Sequence, residues 1–188
     1  LETNSLTSIL VEYSDVIQVF IPELTKDIIQ HSLTAIHQAP LDANIRMAIL
    51  LKDISNAKGI LERLKYSGSE QAIILSCIQN SEYKLSSKIE LKQFLSTLKI
   101  SFDTYHQYRS AIDTGYQKET IHAYHQEIHN MHEPYQLKNL AIDGNVIKEL
   151  GYQGKEIASI LQKCLNTVIE NPENNTVEYL TNMIKRTL

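Results

Sequence analysis

Turn-making residues are scarce. Six glycines and four prolines in 188 residues leave few reversals, and no segment sustains the period-two alternation of a half-buried strand. Long apolar runs are missing too. None approaches the roughly eighteen residues a membrane span needs, so no membrane is expected as a partner. Cysteine is limited to Cys77 and Cys164, far apart and each inside an apolar helical pattern. That fits buried free thiols in a reducing cytoplasm rather than a disulfide framework. The formal net charge of −4 argues against a strongly electrostatic nucleic-acid binder, because phosphate contacts need clustered Lys and Arg; it leaves room for a basic patch on one face. Leu1 is no initiator methionine, and the residues after it lack the basic, apolar, small order of a signal peptide. The expectation is a piece of a longer cytoplasmic protein.

What is present is helix periodicity, almost everywhere. Leu6, Ile9, Leu10, Tyr13, Ile17 and Phe20 form one stripe, ended by Pro22. Ile28, Ile29, Leu33 and Ile36 form a second, ended near Pro40, and Ile45, Ala48, Ile49 and Leu51 a third that is apolar nearly all round. The third predicts a central buried helix. Ser67-x-x-Glu70 and Ser87-x-x-Glu90 predict capping boxes, in which the serine oxygen and the glutamate carboxylate satisfy backbone N–H groups without helical partners. A long helix is expected from about Tyr116 to His132, then shorter pieces around Gly144, Gly151 and Gly154, a helix through Val168 and a last one from about Thr176. The fold class is therefore all-α: a multi-helix body, 1–133, and a small helical tail, 134–188, with the boundary near Glu133–Tyr135.

Three constellations invite a chemical reading. His122, His125, His129 and His132 share one helical face at metal-ligand spacing. Ile121, Tyr124, Ile128 and Met131 repeat that spacing one residue earlier and take the core face. The histidines then lie about 100° around, as a flank that gains charge below about pH 6.5, and no metal is assigned to them. His31 with Asp53 follows the metal-binding pattern of HD-domain phosphohydrolases, but Lys52 stands at the paired position. An ammonium has no lone pair to give a metal, which makes His31 and Asp53 vestigial HD positions. No Gly-Ser followed by paired carboxylates, no P-loop and no G-x-S-x-G elbow occurs, and no spacing selects a catalytic triad, so no catalytic residue is assigned.

The third constellation is "KNLAIDGNVIKELGYQGKEIASIL", Lys138–Leu161. Gly144 permits a turn, Gly151 suits a left-handed helix cap, and Gly154 precedes a helix whose bare N–H groups and positive dipole end suit a phosphate, with Lys155 adding charge. Spacing alone leaves a second reading equally open, in which the glycines serve only close packing between two helices.

Several segments in order resemble one family, the bacterial CCA-adding tRNA nucleotidyltransferases and their poly(A) polymerase relatives. "LVEYSDVIQVFIPEL" resembles the segment after the family's head and neck. "DIIQHSLTAIHQAPLDANIRMAILLKDI" resembles its degenerate HD-like stretch, about residues 27–80, in which His31 and Asp53 match and Lys52 departs. "NAKGILERLKYSGSEQAIILSCI" is similar to the following body helices, and "LKNLAIDGNVIKELGYQGKEIASILQKCLNTVIENPENNTVEYL" to the family's tail. The family usually carries further loop between the positions matching Lys26 and Asp27 and after Ile54. The expectation is that the sequence is closed over such residues there.

The resemblance implies a body and tail that hold the acceptor stem and elbow of tRNA by A-form shape and backbone phosphates. Attack of the tRNA 3′-hydroxyl on CTP or ATP, with Mg2+, belongs to an N-terminal catalytic head of the same parent chain. No cofactor is expected in the present segment. The expected RNA-binding residues are Lys138, Gly151, Gly154 and Lys155, helped by Lys148, Lys185 and Arg186, and the position of the Lys138–Leu161 stretch in the ordered set favours its RNA-contacting reading. A metal-dependent HD-type hydrolase and a non-catalytic helical interaction module stay open as alternatives, as does homo-oligomerisation.

Overall fold

The structure, a computed structural model, describes residues 2–187. Among them are twelve α-helices and no strand: α1 Glu2–Glu12, α2 Ser14–Phe20, α3 Lys26–Gln38, α4 Ala43–Leu51, α5 Ala57–Arg63, α6 Gly68–Gln79, α7 Lys88–Thr97, α8 Phe102–Ile112, α9 Lys118–Asn130, α10 Gly144–Glu149, α11 Lys155–Glu170 and α12 Val177–Thr187. Two 3₁₀ turns, Leu137–Asn139 and Pro172–Asn174, complete the set. The fold is all-α. None of the described helices is long and apolar enough to cross a membrane.

Local chemistry explains where the helices begin. Both capping boxes form: Ser67 Oγ accepts the Glu70 N–H while Glu70 Oε2 accepts the Ser67 N–H at 2.8 Å, and Ser87 and Glu90 exchange the same bonds at 3.2 and 3.1 Å. The Ser67 hydroxyl and backbone N–H hold the Glu70 carboxyl below the usual carboxylate range. Thr25, Asp42, Ser101 and Asp143 cap α3, α4, α8 and α10 with side-chain oxygens. Lys26 and Asp27 lie together in the first turn of α3, and the Ile54 N–H donates to the Leu51 carbonyl at 3.0 Å.

The chain divides into two compact units, Leu1–Lys84 with Leu98–Lys118, and Leu85–Thr97 with Glu119–Leu188. The turn at Glu133–Tyr135 lies inside the second. In the first unit α4 is the centre, packed against α3, α6 and α8. Ile45, Ala48, Ile49 and Leu51 are all fully buried, and Ile29, Ile36, Ile60, Leu61, Ile74 and Cys77 close around them. The second stripe is also as expected, with Ile28 and Leu33 packed at the core's edge. The first stripe is not. The chain breaks its helix at Tyr13, so one periodic face becomes two. Leu10 is buried, whereas Ile9, Tyr13 and Phe20 are exposed, together with Val16 and Val19. Arg63 reaches back to the α2–α3 connection with a bidentate pair to Glu23, at 3.0 and 2.6 Å.

The second unit has its own core of Ile142, Ile147, Ile160, Cys164, Val168, Leu180 and Ile184. α7 packs against α11. Cys77 and Cys164 are both buried and free, and burial pushes the Cys77 thiol up to about 12. Ile121 and Ile128 of α9 are buried as expected, but Met131 is 70% exposed, because α9 ends at Asn130 before that residue can continue the face.

Among the described residues two non-glycine positions adopt left-handed backbone, Lys65 at φ 62° and His132 at φ 51°. Lys65 closes α5: its N–H donates to the Glu62 carbonyl and the Tyr66 N–H to the Leu61 carbonyl. This is the helix ending in which glycine normally stands. Lys65→Gly is expected to stabilise the first unit by about 1 kcal/mol, since a side chain is costly in that conformation; the midpoint of urea unfolding reads it.

Candidate nucleic-acid interface

The α10–α11 junction is built from a specific helix ending. α10 starts on Asp143, whose Oδ1 accepts the N–H groups of Asn145 and Val146, and those N–H groups hold its carboxyl below the usual range. It stops at Gly151. The Gly151 N–H donates to the Lys148 carbonyl at 2.9 Å and the Tyr152 N–H to the Ile147 carbonyl at 3.3 Å, the paired bonds of a left-handed helix cap. Gly151 has φ 100° and Gly154 φ 58°.

No atom lies within 4 Å of where a Cβ would stand on either glycine. Neither glycine is there for close packing; each is there for its backbone. The close-packing reading fits Gly144 instead, where a Cβ would meet Ile157 Cγ2 at 3.3 Å. Gly154 is the N-cap of α11 and offers no side chain to its first N–H groups. Gly151, Gln153, Gly154 and Lys155 are exposed. Glu156 stands in the first turn and accepts the Gln153 N–H at 3.5 Å, so part of the positive helix end is already answered.

The seven expected residues fall into three places. Lys148, Gly151, Gly154 and Lys155 come together in the α10–α11 turn. Lys185 and Arg186 sit in the last turn of α12. There the Thr167 hydroxyl meets Met183 Sδ at 3.5 Å, and Thr167 is about 18 Å of helical rise from Lys155. Lys138 lies in the 3₁₀ turn Leu137–Asn139, where it lines a cavity with His125, His129 and His132.

Sequence reading missed one surface. Tyr179, Asn182, Met183 and Arg186 line a concavity of about 460 Å3 on α12, with Tyr179 exposed. Their i, i+3, i+4, i+7 spacing was visible in the sequence and marks one helical face. An exposed aromatic ring and an arginine two turns apart on one face, with Glu178 also on the wall, form a surface on which an unstacked base can lie.

His31 and Asp53 do not form a centre. The His31 Nδ1–H donates to the Asp27 carbonyl of its own helix at 2.6 Å, and Asp53 Oδ2 is engaged by Lys52 Nζ at 2.6 Å. The cavity at Asp53 is lined by Lys52, Lys84, Arg109 and Asp113 among others, with His31 absent from its wall. Its buried cation, Arg109, pairs with Asp113 at 2.6 Å and lies over the Tyr116 ring at 5.3 Å. Among the described residues no group of three or more His, Cys, Asp or Glu is arranged to hold a metal.

The chain matches no family model, no curated protein and no solved structure.

Proposed function

We propose that this chain is the body and tail of a CCA-adding tRNA nucleotidyltransferase, or of its poly(A) polymerase relative. It would hold the acceptor and elbow of tRNA for a catalytic head elsewhere in the parent chain. The ordered resemblance of its segments supports the family. The observation that carries the RNA-holding role is the α10–α11 turn: two left-handed glycines with open space over them, an N-cap without a side chain, and Lys155 at the first helical position.

Such a turn suits a backbone phosphate. Main-chain N–H groups, the helix dipole and an ammonium act on the same anion, and none of them reads a base. The exposed Tyr179 and Arg186 supply a second, stacking contact for an unpaired base. Binding of this kind suits an RNA duplex, whose deep major groove keeps side chains from the base edges. It tolerates the acidic net charge because the contacts are few.

Lys155→Glu tests the reading directly. The fold should survive, because Lys155 is exposed, and affinity for tRNA at low salt should drop roughly tenfold, the scale of one charge-assisted hydrogen bond. The slope of log affinity against log salt should fall by about one. Unchanged affinity and slope in a filter-binding titration would take Lys155 out of the interface.

A further inference from the structure

The geometry points to a phosphate-binding site in the cavity of about 240 Å3 walled by His125, His129, His132 and Lys138, one that fills as its histidines take up protons. It stands on residues other than the α10–α11 turn and does not depend on the RNA reading. Three features of the second unit carry it.

The first is position. His125 and His129 are one turn apart on α9, and His132 follows at the helix end. α9 closes with the His132 N–H on the His129 carbonyl at 3.2 Å and the Glu133 N–H on the Ile128 carbonyl at 2.9 Å. That puts His132 in the left-handed slot where glycine normally stands. A strained non-glycine residue on the wall of a cavity points to a role for its side chain.

The second is proton placement. His132 Nδ1 lies 3.1 Å from the Asn130 carbonyl oxygen. A carbonyl only accepts, so Nδ1 holds the proton of the neutral ring, and Nε2 gains the second one. Protonation turns that nitrogen from an acceptor into a donor.

The third is the charge around the ring. Glu133 lines the cavity, but Lys88 and Lys92 engage it at 2.6 and 2.9 Å, and Glu127 is engaged by Lys88 at 2.7 Å. These two ammonium groups from α7 and two carboxylates cancel. Lys138 from the 3₁₀ turn remains, with neutral Tyr135 beside it. The cavity thus has one uncompensated cation when the histidines are neutral, and each ring that takes up a proton adds to it. The complementary ligand is an oxyanion small enough to be ringed by several donors. A metal ion fits poorly, because Lys138 would repel it.

The phosphoryl group has two sources, an RNA backbone or a small phosphate ester, and one experiment on the whole chain separates them. Imidazole Cε1–H resonances are followed by NMR while inorganic phosphate is added at pH 6.0 and pH 8.0, with chloride as the ionic control. The site predicts saturable shifts of at least two of His125, His129 and His132 at pH 6.0, affinity about tenfold weaker at pH 8.0, and no saturation with chloride. His132→Gly relieves the backbone strain, so its thermal midpoint should hold or rise while phosphate affinity at pH 6.0 falls about tenfold; Lys138→Gln should weaken phosphate at both pH values. If added tRNA releases the phosphate, the backbone is the natural source; if phosphate stays while tRNA binds or fails to bind, a small ester is. Linear, non-saturating shifts at pH 6.0 would overturn the proposal, as would equal affinity at both pH values. So would saturation by Zn2+ alone at the same resonances.

Discussion

Glu133→Ala should destabilise the second unit by about 3–5 kcal/mol, the cost of breaking a buried ion pair from one side. The reason is Lys92. Its side chain is 2% exposed and its ammonium is held at 2.9 Å by Glu133, itself 11% exposed. Lys88 keeps Glu127 when Glu133 is removed, whereas the buried Lys92 ammonium loses the carboxylate that holds it. Hydrogen exchange should place the lost protection in residues 85–97 and 119–188. The paired replacement Lys92→Met with Glu133→Leu should recover most of the loss, because apolar substitutes of similar volume are often neutral at such sites.

The same triad sets an acid limit. Burial pushes the Glu133 carboxyl up, but the Lys88 and Lys92 ammonium groups outweigh it and leave the group below its usual range. A carboxyl whose folded value lies below its unfolded one contributes stability that is present above the unfolded value, about 4.3. That contribution is lost as pH falls through the folded value. The second unit should therefore loosen on acidification below about pH 4, and the Lys92→Met, Glu133→Leu double variant should not share this part of the loss.

Ile49→Ala should cost the first unit about 2–5 kcal/mol. Ile49 is fully buried on α4, among helices packed on several sides, so little can move in to fill the cavity. Ile49→Val removes one methylene and should cost about 0.5–1.5 kcal/mol. Protection lost chiefly in the first unit, with the α9 and α11 amides unchanged, would check that assignment.

α4 was legible in the sequence because its apolar residues surround the whole helix, and burial leaves only one place for such a helix. The capping boxes were legible because they are local, three residues from donor to acceptor. The exposed Ile9, Tyr13 and Phe20 were not. Periodicity reports a face, not what covers it, and a helix break at Tyr13 rotates the face midway. Lys92 was hidden for a related reason: a lysine between Leu91 and Phe94 reads as a solvated position until a carboxylate forty-one residues away is brought beside it. In the candidate interface, Gly151 announced its left-handed cap through its residue type. His132 occupies the same backbone state and gave no such sign. The histidine face was visible as spacing, but the cavity beside it depends on how the chain turns after α9.

The Lys92–Glu133 pair also sets an order of events during synthesis. At about 5–20 residues per second, the ribosome needs roughly 2–8 s to make the stretch between the two. The exit tunnel delays both equally, so α7 emerges that long before Glu133, with Leu91, Phe94 and Leu95, all buried in the finished fold, and without the carboxylate that receives its lysine. The chain meanwhile produces α8, which belongs to the other unit. Nascent α7 is thus a sticky, half-finished element with a charge in the middle of its apolar face. A charge in that position opposes its association with other apolar chain until Glu133 arrives.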